Sequence, residues 1–453
     1  MKSKEINQKE LELANNPLKS LIFKLATPTI IGQLVLLLYG IVDRIFVGRM
    51  PEGGGLALAG LGVCYPIIIL VSAFAMLMGV GGAPLSGIEV GKKNNKAAND
   101  ILANSFFMLV LISGIVMFFF ITFQNPILRA FGATDLVFPF AKDYLSIYLW
   151  GTLSVELTIG LNMFVINQGF TNISMAISLV GCFLNIILDP IFIYVLGLGI
   201  KGAAYATIIS QSVSALWLIF FLTGKKTNIK LTLRHFRFNG RVDLKIMSLG
   251  VSIFIMQITE CIIQLLFNRG MIRYGNEYYL TIMSIIFTFN QLIFLPNQGL
   301  GLGVSGIISY NFGAGNYQRV KDTFKILFKY GSLYSFICTA LILIFPKFFL
   351  SIFTVDPKLI EMGVAPVRNF LAGMMLMGML NAVQQTFIAL GQAKSSIKIA
   401  LFRKLVLLIP LALILPRLGM GIWGIFTAEA ISDASSSIYA VLLYRKESKR
   451  ILS

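Results

Sequence analysis

The residues of this chain that could do chemistry are polar side chains placed inside long apolar segments. Asp43 lies near the end of the first such segment, Asp189 lies in the fifth, and Thr207 lies in the sixth. Asn185 precedes Asp189 by four residues, so a helix would present both side chains on one face. Two carboxylates, an amide oxygen and a hydroxyl form an all-oxygen set, which suits Na⁺ or a shared proton.

An acid at bilayer depth costs on the order of 2.5–3.5 kcal/mol, so such acids usually have a task. The hypothesis is that these four residues bind a coupling cation, either H⁺ or Na⁺. A structural alternative remains open for the two acids. Asp43 can pair with its neighbour Arg44, and Asp189 can end its helix before Pro190.

Four further acids lie inside apolar segments. Glu260, in the middle of the seventh segment, is a candidate for a substrate cavity or a second cation site, and so is Glu156 in the fourth. A hydrogen bond to a neighbouring glutamine is the structural alternative for Glu260. Glu429 and Asp433 are one turn apart in the last segment, where the nearby serines indicate close helix packing as the alternative.

Composition defines the class of protein. The chain has 453 residues, of which 57% are hydrophobic and only 13% are charged, whereas a soluble domain is about a quarter charged. A water-soluble enzyme is therefore excluded. The net charge of +18 does not predict nucleic-acid binding, because the bases form short clusters between apolar runs. A single histidine, His235, lies in a polar stretch, so neither a zinc site nor a histidine-based hydrolase is expected, and no cofactor.

The apolar runs are long enough to cross a membrane as helices, which need about 20 residues each. Alternation of the kind that marks membrane β-strands is absent. The sequence therefore predicts an all-α integral membrane protein. Its twelve predicted transmembrane helices are 21–47, 58–85, 101–123, 138–166, 173–197, 203–222, 248–272, 278–305, 324–345, 364–390, 397–416 and 422–444.

The basic residues orient these helices. With an even number of spans, 27 of the 38 Lys and Arg residues fall on the side of the N-terminus, so both termini are expected in the cytoplasm. This count treats the bases from Lys394 to Lys404 as loop residues. The spans then carry acids while the bases stay in loops.

The two halves of the chain resemble each other. A shift of 222 residues places Gly91 on Gly313, and one register relates many other positions, including Asn94 and Asn316. A constant offset over most of each half indicates a duplication. Six spans per half give parallel repeats, the architecture of alternating access. The predicted domains are an N-terminal six-helix bundle (1–224), a cytoplasmic linker (225–247) and a C-terminal six-helix bundle (248–453).

The proposed cation site is not repeated. At the same offset, Asp43 corresponds to Leu265, and Asn185 and Asp189 also correspond to leucines. A structural role common to both bundles would be expected to appear twice. This asymmetry favours a cation site in the N-terminal bundle.

Several segments resemble the multidrug and toxic compound extrusion (MATE) family over nearly the whole chain, and within it the bacterial branch of MepA-like and DinF-like exporters. These segments are Ile41 to Arg49 (IVDRIFVGR), Asn185 to Ala206, Glu89 to Asn99, Asn311 to Gly315 (NFGAG) and Ile388 to Ala393 (IALGQA). The resemblance implies a V-shaped pair of six-helix bundles. It also implies export of small organic, often cationic, compounds in exchange for H⁺ or Na⁺ across the bacterial inner membrane.

The same resemblance assigns residues. The family's N-terminal cation site matches Asp43, Asn185, Asp189 and Thr207, and Glu260 matches an acid that some relatives use in the seventh helix. Some relatives also use an acid in the tenth helix, where this chain has Asn381, which is therefore a further candidate for the substrate cavity or second cation site, although a pair of carboxylates is not expected there. We therefore expect coupling through the N-terminal bundle, and a monomer.

Other functions remain as alternatives. A flippase of lipid-linked saccharides would need a basic central cavity, whereas here the bases are expected in loops. A membrane-embedded enzyme would need a cluster of aspartates or an intramembrane histidine, and neither occurs. A passive channel would be expected to show a ring of charges.

Overall fold

A computed structural model of the chain describes residues 2–232, 240–354 and 356–452. Every regular element in these ranges is helical. Those of the first half are α1 (Lys2–Asn15), α2 (Leu18–Gly48), α3 (Gly54–Gly91), α4 (Asn95–Thr122), α5 (Gln124–Ala130), α6 (Phe138–Trp150), α7 (Thr152–Asn167), α8 (Thr171–Pro190) and α9 (Ile200–Thr223). Those of the second half are α10 (Gly240–Tyr274), α11 (Glu277–Gly313), α12 (Tyr317–Ile344), α13 (Pro346–Ser351), α14 (Pro357–Leu371), α15 (Met377–Ala389), α16 (Ala393–Leu401), α17 (Ile409–Ile414) and α18 (Ile422–Ile451).

The number of membrane spans agrees approximately with the predicted twelve. Among the described residues, ten helices are long and apolar enough to cross a bilayer, and the bent pair α6–α7 makes an eleventh. The remaining predicted span is α18, which has 30 residues but contains Glu429 and Asp433 together with several serines. The chain is therefore an all-α membrane protein, and α18, the remaining predicted span, is more polar than the helices counted above.

Several of the described spans depart from regular α-helix, and one of them, Pro357–Ala389, does so in a 3₁₀ segment at Ala372–Leu376. The chain bends by 59° between α6 and α7, where Gly151 lies so close to Ile208 that a β-carbon would collide with its side chain. After Pro190, α8 continues as a π-helix, Ile191–Val195. A second π-helix, Phe402–Leu408, joins α16 to α17. Wide turns of this kind occur frequently at functional sites.

Several large apolar side chains point outward. Phe118, Trp150 and Phe220 each expose at least 70% of their surface. Lipid tails are as apolar as these side chains, so helices in a bilayer associate through small residues and polar contacts instead. The exposed rings are therefore expected lipid contacts.

Glycines bring the two halves of the chain into backbone contact. The α-carbon of Gly81 in α3 approaches Ile246 in α10 so closely that a β-carbon would collide with the Ile246 carbonyl oxygen. Gly250 in α10 approaches Leu77 in the same way. On the other side of the molecule, Gly303 in α11 packs on the backbone of α2.

The ends of α3 and α11 also meet. A β-carbon on Gly91 would collide with the Tyr310 carbonyl oxygen, and one on Gly313 would collide with the Ile88 carbonyl oxygen. Gly81, Gly91, Gly250, Gly303 and Gly313 are called the glycine seam below. The end of the molecule at which Gly91 and Gly313 lie is called the closed end.

Helix α1 lies at the closed end and contacts both halves. The Leu13 carbonyl oxygen accepts hydrogen bonds from Asn311 Nδ2 at 3.0 Å and from Arg319 Nε at 3.1 Å. Arg319 Nη2 also donates to the Asn16 carbonyl oxygen at 2.6 Å. On the first half, Lys9 Nζ lies 5.8 Å from the centre of the Phe170 ring. The segment before the first span thus bridges the seam.

The predicted linker, 225–247, divides in the structure. Its last eight residues already belong to α10, which begins at Gly240. Residues 233–239, including His235, lie outside the described residues.

Candidate cation and substrate sites

Helices α2, α8 and α9 converge on a buried polar cluster. Asn185 lies within hydrogen-bond distance of Asp189, one turn later on the same face of α8. In the amide orientation that satisfies both of its polar ends, Asn185 donates to Asp189 Oδ2 at 3.0 Å and accepts from the Thr207 backbone N–H at 3.2 Å. The Thr207 hydroxyl lies 3.2 Å from the Tyr39 hydroxyl. Three of the four predicted cation-site residues are therefore linked by hydrogen bonds.

Asp43, the fourth predicted residue, interacts with Asp189 through its charge. Asp43 and Asp189 are 8% and 0% exposed, and the two carboxylates lie close enough to interact. Asp43 Oδ1 is buried and has no hydrogen-bond partner among the described residues. Tyr39 lies within electrostatic reach of both acids. This group consists of five described residues, of which two are acids and none is a base.

The structural alternatives for these acids are seen only in part, because the Arg44 charge acts on Asp43 although the two side chains are not in ion-pair contact. The Arg44 guanidinium lies over the Tyr65 ring, 4.8 Å from its centre, and forms no ion pair with Asp43 among the described residues. Asp189 does not end its helix, because α8 runs through Pro190 into the π-helix Ile191–Val195.

The π-helix also fixes α8 against α2. Tyr194, within it, donates a hydrogen bond to the Phe46 carbonyl oxygen at 2.6 Å. Phe46 follows Asp43 by three residues, so this bond holds the end of α2 beside the end of α8. The widened turn follows Asp189 directly, and it therefore sets the position of that carboxylate relative to Asp43.

Glu156 occupies a separate position, on α7. Its side chain is fully buried, and neither carboxylate oxygen has a hydrogen-bond partner among the described residues. Tyr148 lies within electrostatic reach of it. The structure does not place Glu156 beside Glu260, with which the sequence grouped it.

Glu260 has an internal partner that the sequence did not predict. Lys404 Nζ lies 2.7 Å from Glu260 Oε2, with the Lys404 side chain 4% exposed and the Glu260 side chain 33% exposed. The partner of Glu260 is thus a lysine from the segment between α16 and α17 and not a nearby glutamine. Asn381, on α15, is also buried, and no hydrogen bond joins it to either member of this pair.

Arg403 forms a second buried ion-pair group. Its Nη2 lies 2.7 Å from Asp433 Oδ1 and 3.5 Å from Glu429 Oε1, and its Nε donates to Asp433 Oδ1 at 2.8 Å. The three side chains are at most 6% exposed. Ser432 Oγ donates to the Arg403 carbonyl oxygen at 2.7 Å, so the serines of α18 pack as expected around the charges.

These contacts correct one expectation. Arg403 and Lys404 lie within the predicted span 397–416 but are counted there with the loop bases, whereas both side chains are buried inside the second half of the molecule. The statement that bases stay in loops is wrong for these two residues. The reason is that acids on α10 and α18 neutralise them, so a buried position becomes tolerable. Glu260, Arg403, Lys404, Glu429 and Asp433 are called the C-terminal charge cluster below.

The two polar clusters occupy corresponding places in the repeat. With the 222-residue shift, α2, α8 and α9 correspond to α10, to α16 with α17, and to α18. Glu429 falls on Thr207, and Arg403 falls one turn before the position of Asn185. A comparison of single positions misses this correspondence because the charges of the second half are displaced along their helices.

Known proteins resemble the chain in sequence and in fold. The MatE family model matches residues 28–191 and again residues 252–414. The multidrug export proteins MepA of Staphylococcus haemolyticus and of Staphylococcus aureus (strain NCTC 8325 / PS 47) are 26% and 25% identical to this chain. In both comparisons, the match covers 94% of this chain and 94% of the relative.

Two solved structures share the fold at 23% identity. One, described as an outward-facing conformation of a multidrug resistance MATE family transporter of the MOP superfamily, has a TM-score of 0.90 and covers 97% of this chain and 98% of its own. The other, a crystal structure of MATE in the bent conformation, has a TM-score of 0.89 and covers 98% of both chains. Because the family model matches well over half of its residues, the chain belongs to the MATE family, whose members are transporters and not enzymes.

Proposed function

We propose that this protein is a secondary active antiporter that exports small organic cations in exchange for H⁺ or Na⁺. The observation that carries the proposal is the buried pair Asp43 and Asp189, in which one oxygen of Asp43 has no partner among the described residues. Two like charges in a medium of low dielectric repel strongly. A proton or a small cation bound between them removes this repulsion, and its release restores it.

The geometry favours the proton over Na⁺. Sodium requires several oxygen ligands at once. The Asn185 oxygen is already used by the Thr207 backbone N–H, and its nitrogen holds Asp189. Asn185 therefore positions Asp189 in this conformation, and fewer oxygens remain for a metal ion. A proton needs one lone pair, which Asp43 Oδ1 offers.

Alternating access is the expected mode of transport. The two halves are in backbone contact along the glycine seam, which includes Gly91 and Gly313 at the closed end. Binding of an ion in the N-terminal cluster changes the charge between α2, α8 and α9, and α2 itself packs on Gly303 of the seam. We propose that this link couples ion exchange to separation of the halves.

Cationic cargo is supported by one acid of the second half that remains accessible. Glu260 is one-third exposed, whereas its partner Lys404 is buried, so an approaching cation would meet the acid first. The relatives named above are multidrug export proteins, which handle more than one compound. We expect a monomer in the bacterial inner membrane with both termini in the cytoplasm, which would place the closed end on the cytoplasmic side.

Transport of an anionic lipid-linked saccharide is less well supported, although two bases, Arg403 and Lys404, are buried in the second half of the molecule. Each of these bases is already paired with an acid: Lys404 with Glu260, and Arg403 with Asp433 and Glu429. An anionic cargo would have to break these buried pairs. The buried bases therefore do not form a free anion site.

The test is export of a fluorescent organic cation from proteoliposomes under separately imposed pH and Na⁺ gradients. We expect the pH gradient to drive export by the wild type, and Asp43→Asn and Asp189→Asn to abolish the gradient-driven part. Asp135→Asn, which alters an exposed loop acid, is the matched control. Gradient-driven export that persists unchanged in both cluster variants would overturn the proposal.

A further inference from the structure

The C-terminal charge cluster contains an odd number of charges. Glu260, Glu429 and Asp433 supply three negative charges, and Arg403 and Lys404 supply two positive ones. If every group is ionised, one negative charge is left over. Apart from the partly exposed Glu260, all of these side chains are buried, and an uncompensated charge in such a place is costly.

The excess charge can be located from the contacts. Lys404 compensates Glu260 at 2.7 Å, and Arg403 holds Asp433 by two short contacts to Oδ1. Glu429 has only the 3.5 Å contact of its Oε1 with Arg403, and its Oε2 is buried without a partner among the described residues. Asp433 Oδ2 is also buried without a partner among the described residues, but Asp433 Oδ1 has two short contacts with Arg403, whereas the contact of Glu429 with Arg403 is 3.5 Å long. Glu429 is therefore the least compensated acid.

A bound cation could remove the excess charge, and its type follows from the surroundings. The charged groups that act on Glu429 are Asp433, Lys404, Arg403 and Glu260. A metal ion there would lie beside a guanidinium and would find few free oxygens, since hard cations take six or more. A proton needs only the free Oε2. We propose that the C-terminal charge cluster is a second ion site of this transporter, which holds one exchangeable proton on Glu429.

One member of the cluster is partly exposed. Glu260 is one-third exposed, and its partner Lys404 is adjacent in sequence to Arg403, which contacts Glu429. A cation that approaches Glu260 weakens its hold on Lys404 and adds positive charge near Glu429. Loss of the proton from Glu429 then restores the balance. This site does not depend on the N-terminal cluster, although Glu429 corresponds to Thr207 in the repeat.

The experiment is infrared difference spectroscopy of the protein in nanodiscs between two pH values, which reports the carbonyl stretch of protonated carboxyl groups. To isolate the C-terminal cluster, Asp43→Asn, Asp189→Asn and Glu156→Gln are combined as the background. We expect a buried carboxyl band in this background that disappears with Glu429→Gln and shifts with Glu429→Asp. Glu361→Gln, at an exposed position of α14, is the control and should leave the band unchanged.

Two outcomes would overturn the proposal. One is a background spectrum without any buried carboxyl band. The other is a band that persists unshifted in whichever Glu429 variant folds. The band is expected even if Asp43 and Asp189 prove irrelevant to export, so failure of the proposed function and failure of this site can be told apart.

Discussion

Gly91 and Gly313 are 222 residues apart and lie in reciprocal contact: each packs against a carbonyl oxygen three residues before the other. Gly91 meets the oxygen of Tyr310, and Gly313 meets the oxygen of Ile88. The two contacts correspond to each other in the repeat. A self-complementary contact between the two halves of one chain is the intramolecular form of the interface in a twofold dimer.

This contact predicts the effect of one added methyl group. Gly313→Ala would force α3 and α11 apart at the closed end, at a cost of about 1–3 kcal/mol for that conformation. We expect a larger population with separated halves. Distances between spin labels at Lys93 and Gln318, in a background with the four native cysteines replaced by alanine, would measure it. Gly114→Ala, with no atom within 4 Å of the added carbon, is the control. Identical distance distributions in the two variants would contradict the prediction.

A second prediction concerns the orienting role of Asn185. Asn185→Leu removes the donor to Asp189 and the acceptor for the Thr207 N–H, which costs about 1–3 kcal/mol of stability. We expect a lower unfolding midpoint in detergent and weaker export driven by a pH gradient. Asn172→Leu, at an exposed position on the same helix, should change neither quantity. If Asn185→Leu matched this control, the amide would have no positioning role.

A third prediction concerns Arg403. Arg403→Met leaves Glu429 and Asp433 buried without their base, and loss of one partner of a buried ion pair costs about 3–5 kcal/mol. We expect the variant to unfold at much lower denaturant concentration than the wild type. Adding Glu429→Gln and Asp433→Asn should restore most of the loss, because no unpaired charge then remains.

Arg417→Met, at an exposed position, serves as the control for the loss of a base. A triple variant as unstable as Arg403→Met alone would show that the guanidinium acts through packing and not through charge.

A fourth prediction concerns the attachment of α1. Arg319→Ala removes two hydrogen bonds, one to the Leu13 carbonyl oxygen and one to that of Asn16. We expect faster amide hydrogen exchange in α1 with little change in the spans. Lys329→Ala, exposed on the same helix, is the control. Unchanged exchange in α1 after Arg319→Ala would indicate that the remaining contacts hold the helix alone.

The helices were predictable from sequence because long apolar runs leave few alternatives in a bilayer. The predicted span 138–166 coincides with the pair α6–α7, but its 59° bend was not predicted, since it depends on the close approach of Ile208 to Gly151. The polarity of α18 also depends on a partner from another segment of the chain. Its acids are tolerated because Arg403 lies against them.

In the candidate sites too, some features were predictable from the sequence and others were not. The spacing of Asn185 and Asp189 on one helix face was readable from the sequence, and the structure shows their contact. The buried positions of Arg403 and Lys404 could not be read from the sequence. These bases follow Lys394 and Lys398 at short intervals, which made all four look like one loop cluster. Their acidic partners come from other helices, 26 to 144 residues away, and only the tertiary structure brings them together.

The bridge formed by α1 has a consequence for biosynthesis. Its residues leave the ribosome before any span, yet the groups that hold Leu13 and Asn16 are Asn311 and Arg319, some 300 positions later. During most of translation, α1 therefore has no partner in the second half. The contacts of α1 with Asn311 and Arg319 can therefore form only after α11 and the start of α12 have reached the first half.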